Sequence, residues 1–94
     1  MARVAQLNTQ FLRSLDIAGV TPDPRKRART ARVILTLESE PLPLPGDYEA
    51  LLPWPGSSAW AHSVPELAAW VLYVFNDTRV ELLWLATYEP ITLE

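Results

Sequence analysis

Five cations crowd eight residues of this 94-residue chain, Arg25-Lys26-Arg27-Ala28-Arg29-Thr30-Ala31-Arg32. On a helix, Arg25, Arg29 and Arg32 share one face at i, i+4 and i+7, with Lys26 and Arg27 flanking them. Such a face suits a phosphate or an acidic protein segment, and it suits equally well a helix side that meets only water. Acid–base chemistry has fewer candidates. His62 is the sole histidine, so one chain cannot build a histidine metal site, and any Ser-His-Asp arrangement has one available base. Ser57, Ser58 and Ser63 lie near it in sequence, but no Gly-x-Ser-x-Gly string accompanies them. A surface or strand-edge histidine is the plainer reading. Tyr88 is the other weak catalytic candidate, with a half-buried core tyrosine as its plainer reading. Cysteine is absent, which excludes disulfides, thiolate metal sites and a cysteine nucleophile. Gly19, Gly46 and Gly56 are too dispersed for a phosphate-cradling loop. Neither a metal nor a cofactor is expected.

The elements that would position these residues read as follows. Residues 2–7 suit a short strand. Asn8 or Thr9 then caps a helix over 9–18, with Phe11, Leu12 and Leu15 at helical spacing and Gly19 at its end. Pro22 or Pro24 falls at the first turn of a second helix, about 23–39. Ala28, Ala31, Ile34, Leu35 and Glu38 line one side of that helix, opposite Arg25, Arg29 and Arg32. Five prolines within residues 40–55 exclude a long regular element there, although 47–52 allows a helical turn. We treat 40–58 as a connector. Strands at 59–63, 68–75 and 79–88 complete the chain, with a turn at 64–67 carrying Pro65 and an ambiguous tail at 89–94. This order, β-α-α-β-β-β, implies an α+β fold of one domain, with two helices on one face of a small, mostly antiparallel sheet.

Unequal faces mark the closing hairpin. A two-residue type I′ turn at Asn76-Asp77 pairs Tyr73 with Val80, Val71 with Leu82 and Ala69 with Trp84. That face is apolar and should meet Phe11, Leu15, Ile34 and Leu35, with Tyr88 alternating onto it. The other face carries Trp70, Leu72, Val74, Leu83 and Leu85, interrupted by Arg79 and Glu81. So small a chain has little material to cover it, so a docked segment, a second copy in a homodimer, or the proline-rich connector folded back is expected there. Trp54 and Trp60 stand near loops bounded by proline and glycine, where aromatic anchors are placed, or where a tryptophan caps a core.

Charge is divided along the chain. Residues 1–32 carry seven basic groups against Asp16 and Asp23, whereas residues 33–94 carry nine acids against Arg79 alone. The net charge of −3 argues against general nucleic-acid affinity and leaves room for a local anionic contact. No apolar run approaches the roughly 18 residues of a membrane span, and the opening string MARVAQLNTQ has no signal-type apolar core. A cytoplasmic protein without a membrane partner is expected.

Several strings resemble the RelE/ParE superfamily, the toxins of bacterial type II toxin–antitoxin pairs. RVAQLNTQFLRSL is similar to its opening strand and first helix, RKRARTARVILTLESEP to its second helix, GDYEALLPWPGSSAWAHSV to its linker and next strand, and AAWVLYVFNDTRVELLWLATYEP to its closing hairpin. The likeness is one of pattern across nearly the whole chain. It implies a toxin neutralised by a cognate antitoxin, with the ribosome or DNA gyrase as target. In the mRNA-cleaving members, Lys and Arg on the later strands meet the RNA phosphate. Here Trp70 stands where an arginine is usual, and the last strand ends Thr87-Tyr88-Glu89-Pro90. Metal-free RNA cleavage needs neutralised phosphate charge and an acid–base pair, so the resemblance points to a ParE-like or degenerate member that acts by binding. Two alternatives stay open. One is a divergent ribosome-dependent mRNA endonuclease drawing on the second-helix arginines with Tyr88 or His62. The other is a non-toxic phage or plasmid interaction module.

Overall fold

A computed structural model describes residues 2–54 and 56–93. The elements run β1 (Val4–Leu7), α1 (Thr9–Ile17), α2 (Pro24–Ser39), β2 (Tyr48–Leu51), β3 (Ser58–Val64), a 3₁₀ turn at Pro65–Leu67, β4 (Ala69–Phe75) and β5 (Arg79–Ala86). The sheet order is β1-β5-β4-β3-β2, with β1 parallel to β5 and the other pairs antiparallel. α1 lies on β5, and α2 on β1 and β5. This is the α+β arrangement expected, with one more strand. Tyr48–Leu51 is strand, not the helical turn allowed for 47–52, because β3 offers it a full antiparallel partner from Tyr48↔Ala61 to Leu51↔Ser58.

Local chemistry sets the helix ends. The Asn8 side chain accepts from the Phe11 N–H, and Asp23 accepts from the Arg25 and Lys26 N–H groups ahead of Pro24 at N1. Gly19 ends α1 at φ 75°, and Val20 N–H reaches back to Leu15 C=O at 2.9 Å, a Schellman closure that favours glycine. Ser14, buried at 1% exposure, links helix to sheet. Its hydroxyl donates to Phe11 C=O at 2.6 Å and accepts from Leu85 N–H at 2.9 Å. β1 ends its pairing at Leu82, so beyond that point the Leu85 amide depends on Ser14. We expect Ser14→Ala to cost about 1–3 kcal/mol in chemical denaturation, since it orphans a buried N–H.

The hairpin register departs from expectation. Phe75 pairs with Val80 and Tyr73 with Leu82, so the two-residue loop is Asp77-Thr78. Neither residue has a positive φ, which rules out type I′. The turn is held instead by the Asn76 side chain, which accepts from Thr78 N–H, Thr78 Oγ1 and Arg79 N–H. Between Tyr73↔Leu82 and Leu72↔Trp84, Leu83 is an extra residue, a β-bulge. A bulge inverts the side-chain alternation beyond it. Trp84, expected against the helices, therefore packs on the outer face, and Leu85, expected on the outer face, turns inward to the helix-side core of Phe11, Val33, Leu37, Val71, Tyr73, Val80 and Leu82. Leu35 is 62% exposed and Tyr88 68%, so neither belongs to that core. Leu35 faces away because the buried side of α2 is Thr30, Val33 and Leu37.

Candidate functional site

The outer face of the sheet is largely covered by the chain itself. Ala50, Leu52, Ala59, Ala61 and Leu72 form a second cluster, with Tyr48, Trp54, Val74, Leu83 and Trp84 packed against it. Three alanines leave room for the end of the connector to fold over, and Trp54 meets Trp84 edge to face with centroids 6.1 Å apart. Residues beyond β5 then return to the β2 edge. Ala50 bridges Thr92, Leu51 N–H donates to Ile91 C=O, and Leu93 N–H donates to Glu49 C=O, both at 2.9 Å. Of the five residues proposed for a partner surface here, Leu72 and Leu85 are therefore corrected to core, at 1% and 2% exposure. Trp70, Val74 and Leu83 stay half-buried. The ambiguous tail is an edge segment, and a folded-back connector supplies much of the cover.

On the helix side, Asp47 joins two strands. Its Oδ1 lies 2.8 Å from His62 Nδ1, and its Oδ2 accepts from the Tyr73 hydroxyl at 2.5 Å. The Asp47 side chain is 2% exposed and that of His62 22%. A turn presents Asp47, with its N–H bonded to Leu44 C=O and Gly46 at φ 87°. Sequence reading singled out His62 but had no signal for Asp47 or Tyr73, which lie 15 and 11 positions from it. Trp60 pairs with Tyr73 across the ladder and packs half-buried against the helix-side core. Asp47 orients the His62 ring and leaves Nε2 without a hydrogen-bond partner among the described residues. That is a general-base arrangement in outline. Ser63, beside His62 on the strand, points to the opposite face of the sheet. Ser57 and Ser58 make no hydrogen bond with the ring.

Burial, and then its hydrogen bond to Asp47, pushes the Tyr73 hydroxyl well above its ordinary value near 10. A raised folded pKa means stability is intact below the unfolded value and lost as pH climbs past it. Stability should therefore fall above pH 10 by about 1.4 kcal/mol per pH unit for this group. Tyr73→Phe should remove that slope in alkaline denaturation curves. Tyr48 is raised in the same direction, by burial and then by Glu89, so a residual slope remains.

The arginines of α2 divide into engaged and open groups. Arg29 pairs with Glu66 at 2.5 Å, and this pairing holds the Glu66 carboxyl below its usual range. Arg27 donates to Thr21 C=O. Arg3, at the chain's start, donates to the Asn76 and Glu40 carbonyls and lies over the Phe75 ring. Among the described residues, Arg13, Arg25 and Arg32 have no hydrogen-bond or ion-pair partner. Between α1 and α2 runs a groove of about 390 Å³, lined by Leu12, Leu15, Asp16, Val20, Thr21, Arg27, Thr30, Ala31 and Ile34. Leu12 is 48% exposed, and the exposed Leu35 lies on the groove side of α2. Arg25, Arg29 and Arg32 lie on the far side of the helix from Ile34, with Arg29 and Arg32 near Glu66. An apolar groove with Arg27 and Asp16 on its walls is what this layer presents to solvent.

Tyr88 stands beyond the end of β5, exposed, beside the outer-face residues Trp84 and Ile91, and makes no hydrogen bond to His62 or Asp47. The two weak catalytic candidates are not brought together. Among the described residues no cluster of His, Asp and Glu is placed to hold a metal ion, and no helix is long and apolar enough to cross a membrane. No protein-family model matches the chain, and no curated protein or solved structure matches it.

Proposed function

We propose that this chain is a toxin-like protein of the RelE/ParE kind, which acts by binding a macromolecular target and is neutralised by a cognate antitoxin. The observation that carries the reading is the α1/α2 groove, in which Leu12, Leu15, Ala31 and Ile34 form an apolar surface beside Arg27. An amphipathic helix with an apolar stripe is the natural occupant of such a surface. An acidic group meeting Arg27 would add on-rate and specificity to the apolar contact. The element order, two helices followed by an antiparallel meander whose last strand pairs with β1, is compatible with that family's layout. Binding without nuclease chemistry, as in ParE-like inhibition of DNA gyrase, accords with Arg79 being the only cation after Arg32.

One observation favours a second reading. The Asp47–His62 pair would serve a divergent mRNA endonuclease as its base, with α2 arginines meeting phosphate. The two readings separate on induction of the chain in a bacterial host, alone and with its neighbouring gene, followed by primer extension on translated messages. We expect growth arrest relieved by the neighbour and no codon-phased cuts. Cuts that vanish in His62→Ala or Arg29→Ala would establish the endonuclease. Normal growth in every arm would leave a non-toxic interaction module.

A further inference from the structure

The two edges of the sheet are treated differently. At β1 the outward N–H groups of Arg3 and Ala5 are taken by Glu38, through its C=O at 2.7 Å and its Oε2 at 2.9 Å. α2 thereby closes that edge against strand pairing. At β2, among the described residues, the outward groups are met only by residues 91–93, through two backbone hydrogen bonds. The side chains of this segment contribute little, since Ile91 is 70% and Leu93 42% exposed. Beneath it lies an apolar pocket of about 170 Å³ walled by Leu52, Leu72, Trp84, Pro90 and Ile91. That volume is comparable to dry apolar cavities that admit a benzene ring. Nearby on the same face, the Tyr48 hydroxyl is buried without a hydrogen-bond partner among the described residues. Glu49 and Glu89 border the edge, both exposed.

We propose that the β2 edge is a docking site for an extended, cationic segment of a partner protein, which displaces residues 91–93 and seats one large apolar side chain on the Leu52, Leu72, Trp84 and Ala86 surface that Ile91 now walls. The resident segment shows that the edge accepts an antiparallel strand, and the unfilled pocket shows that this occupant leaves apolar contact unused. Acidic residues on the rim select a basic partner. Because the resident segment is tethered, it competes at a high effective concentration. An incoming strand prevails only by adding the apolar anchor and the charge contacts. This surface lies opposite the helix groove, and the inference stands independently of the toxin reading.

The test uses the full chain and a synthetic peptide of residues 88–94 carrying Glu89→Lys, Ile91→Trp and Glu94→Lys, titrated by calorimetry. In the protein, Leu93→Pro removes the N–H donated to Glu49 and frees the edge. Leu51→Pro removes the outward N–H that meets Ile91, a position where an edge strand tolerates proline. Peptide affinity should rise at least about tenfold on Leu93→Pro relative to wild type. Binding should be lost on Leu51→Pro, with the Trp54–Trp84 near-ultraviolet signal reporting that this variant is folded. A peptide with glycine at the Ile91 position should bind about tenfold more weakly. Equal affinity for wild type and Leu93→Pro, no binding to Leu93→Pro at millimolar peptide, or undiminished binding to folded Leu51→Pro would each overturn the proposal.

Discussion

Asp47→Ala is expected to destabilise the chain by about 2–4 kcal/mol, because it strips partners from two groups at once. The Tyr73 hydroxyl, on a fully buried residue, would lose its acceptor, and the His62 ring would lose the carboxylate that orients it. Asp47→Asn should cost distinctly less. The amide oxygen still accepts from Tyr73, and the amide nitrogen can donate to a neutral His62. The difference between the two variants, read from urea midpoints, separates hydrogen bonding from charge. Equal losses would assign the stabilisation to the carboxylate charge.

Leu82→Ala should cost about 2–5 kcal/mol. Leu82 is fully buried and sits where β5 meets both β1 and β4, so the cavity left behind has rigid walls on every side. Leu35→Ala on α2 should lie within about 0.5 kcal/mol of wild type, since its side chain already faces solvent. The pair of midpoints distinguishes the observed core from one in which Leu35 packs on the sheet.

The legible parts of the chain were those set by local chemistry. Asn8 and Asp23 as caps, Gly19 as a stop, Pro24 at the first helical turn and the alternation of Val71, Tyr73, Val80 and Leu82 all follow from side-chain size and backbone preference. The bulge at Leu83 was not legible, because nothing in Glu81-Leu82-Leu83-Trp84 marks one leucine as extra. The choice is made by what each side chain meets. It moved Trp84 outward, sent Leu85 inward and removed Leu72 and Leu85 from any accessible surface. β2 was hidden among prolines, since strand pairing with Ser58–Val64 is a tertiary event that composition does not report. The same holds for Asp47. Its partners His62 and Tyr73 come together only when the connector is laid along β3 and β4, so a lone histidine in sequence became an oriented one in space. The arginine face was legible in position but not in availability, as Glu66 engages Arg29 and leaves Arg25 and Arg32 as the open cations.

Docking of a partner protein in the α1/α2 groove, as proposed, makes a definite expectation for binding. The direct test is the affinity of the purified chain for the product of its neighbouring gene, measured for wild type, Leu12→Glu, Ala31→Glu, Trp70→Ala and Leu83→Ala, with thermal midpoints recorded for each. The two groove substitutions should each weaken binding by at least about tenfold, or 1.4 kcal/mol, with thermal midpoints near that of wild type. Trp70→Ala and Leu83→Ala should leave affinity unchanged. Wild-type binding by Leu12→Glu and Ala31→Glu, with binding lost in Trp70→Ala and Leu83→Ala, would refute docking in the groove and place the partner on the outer face of the sheet.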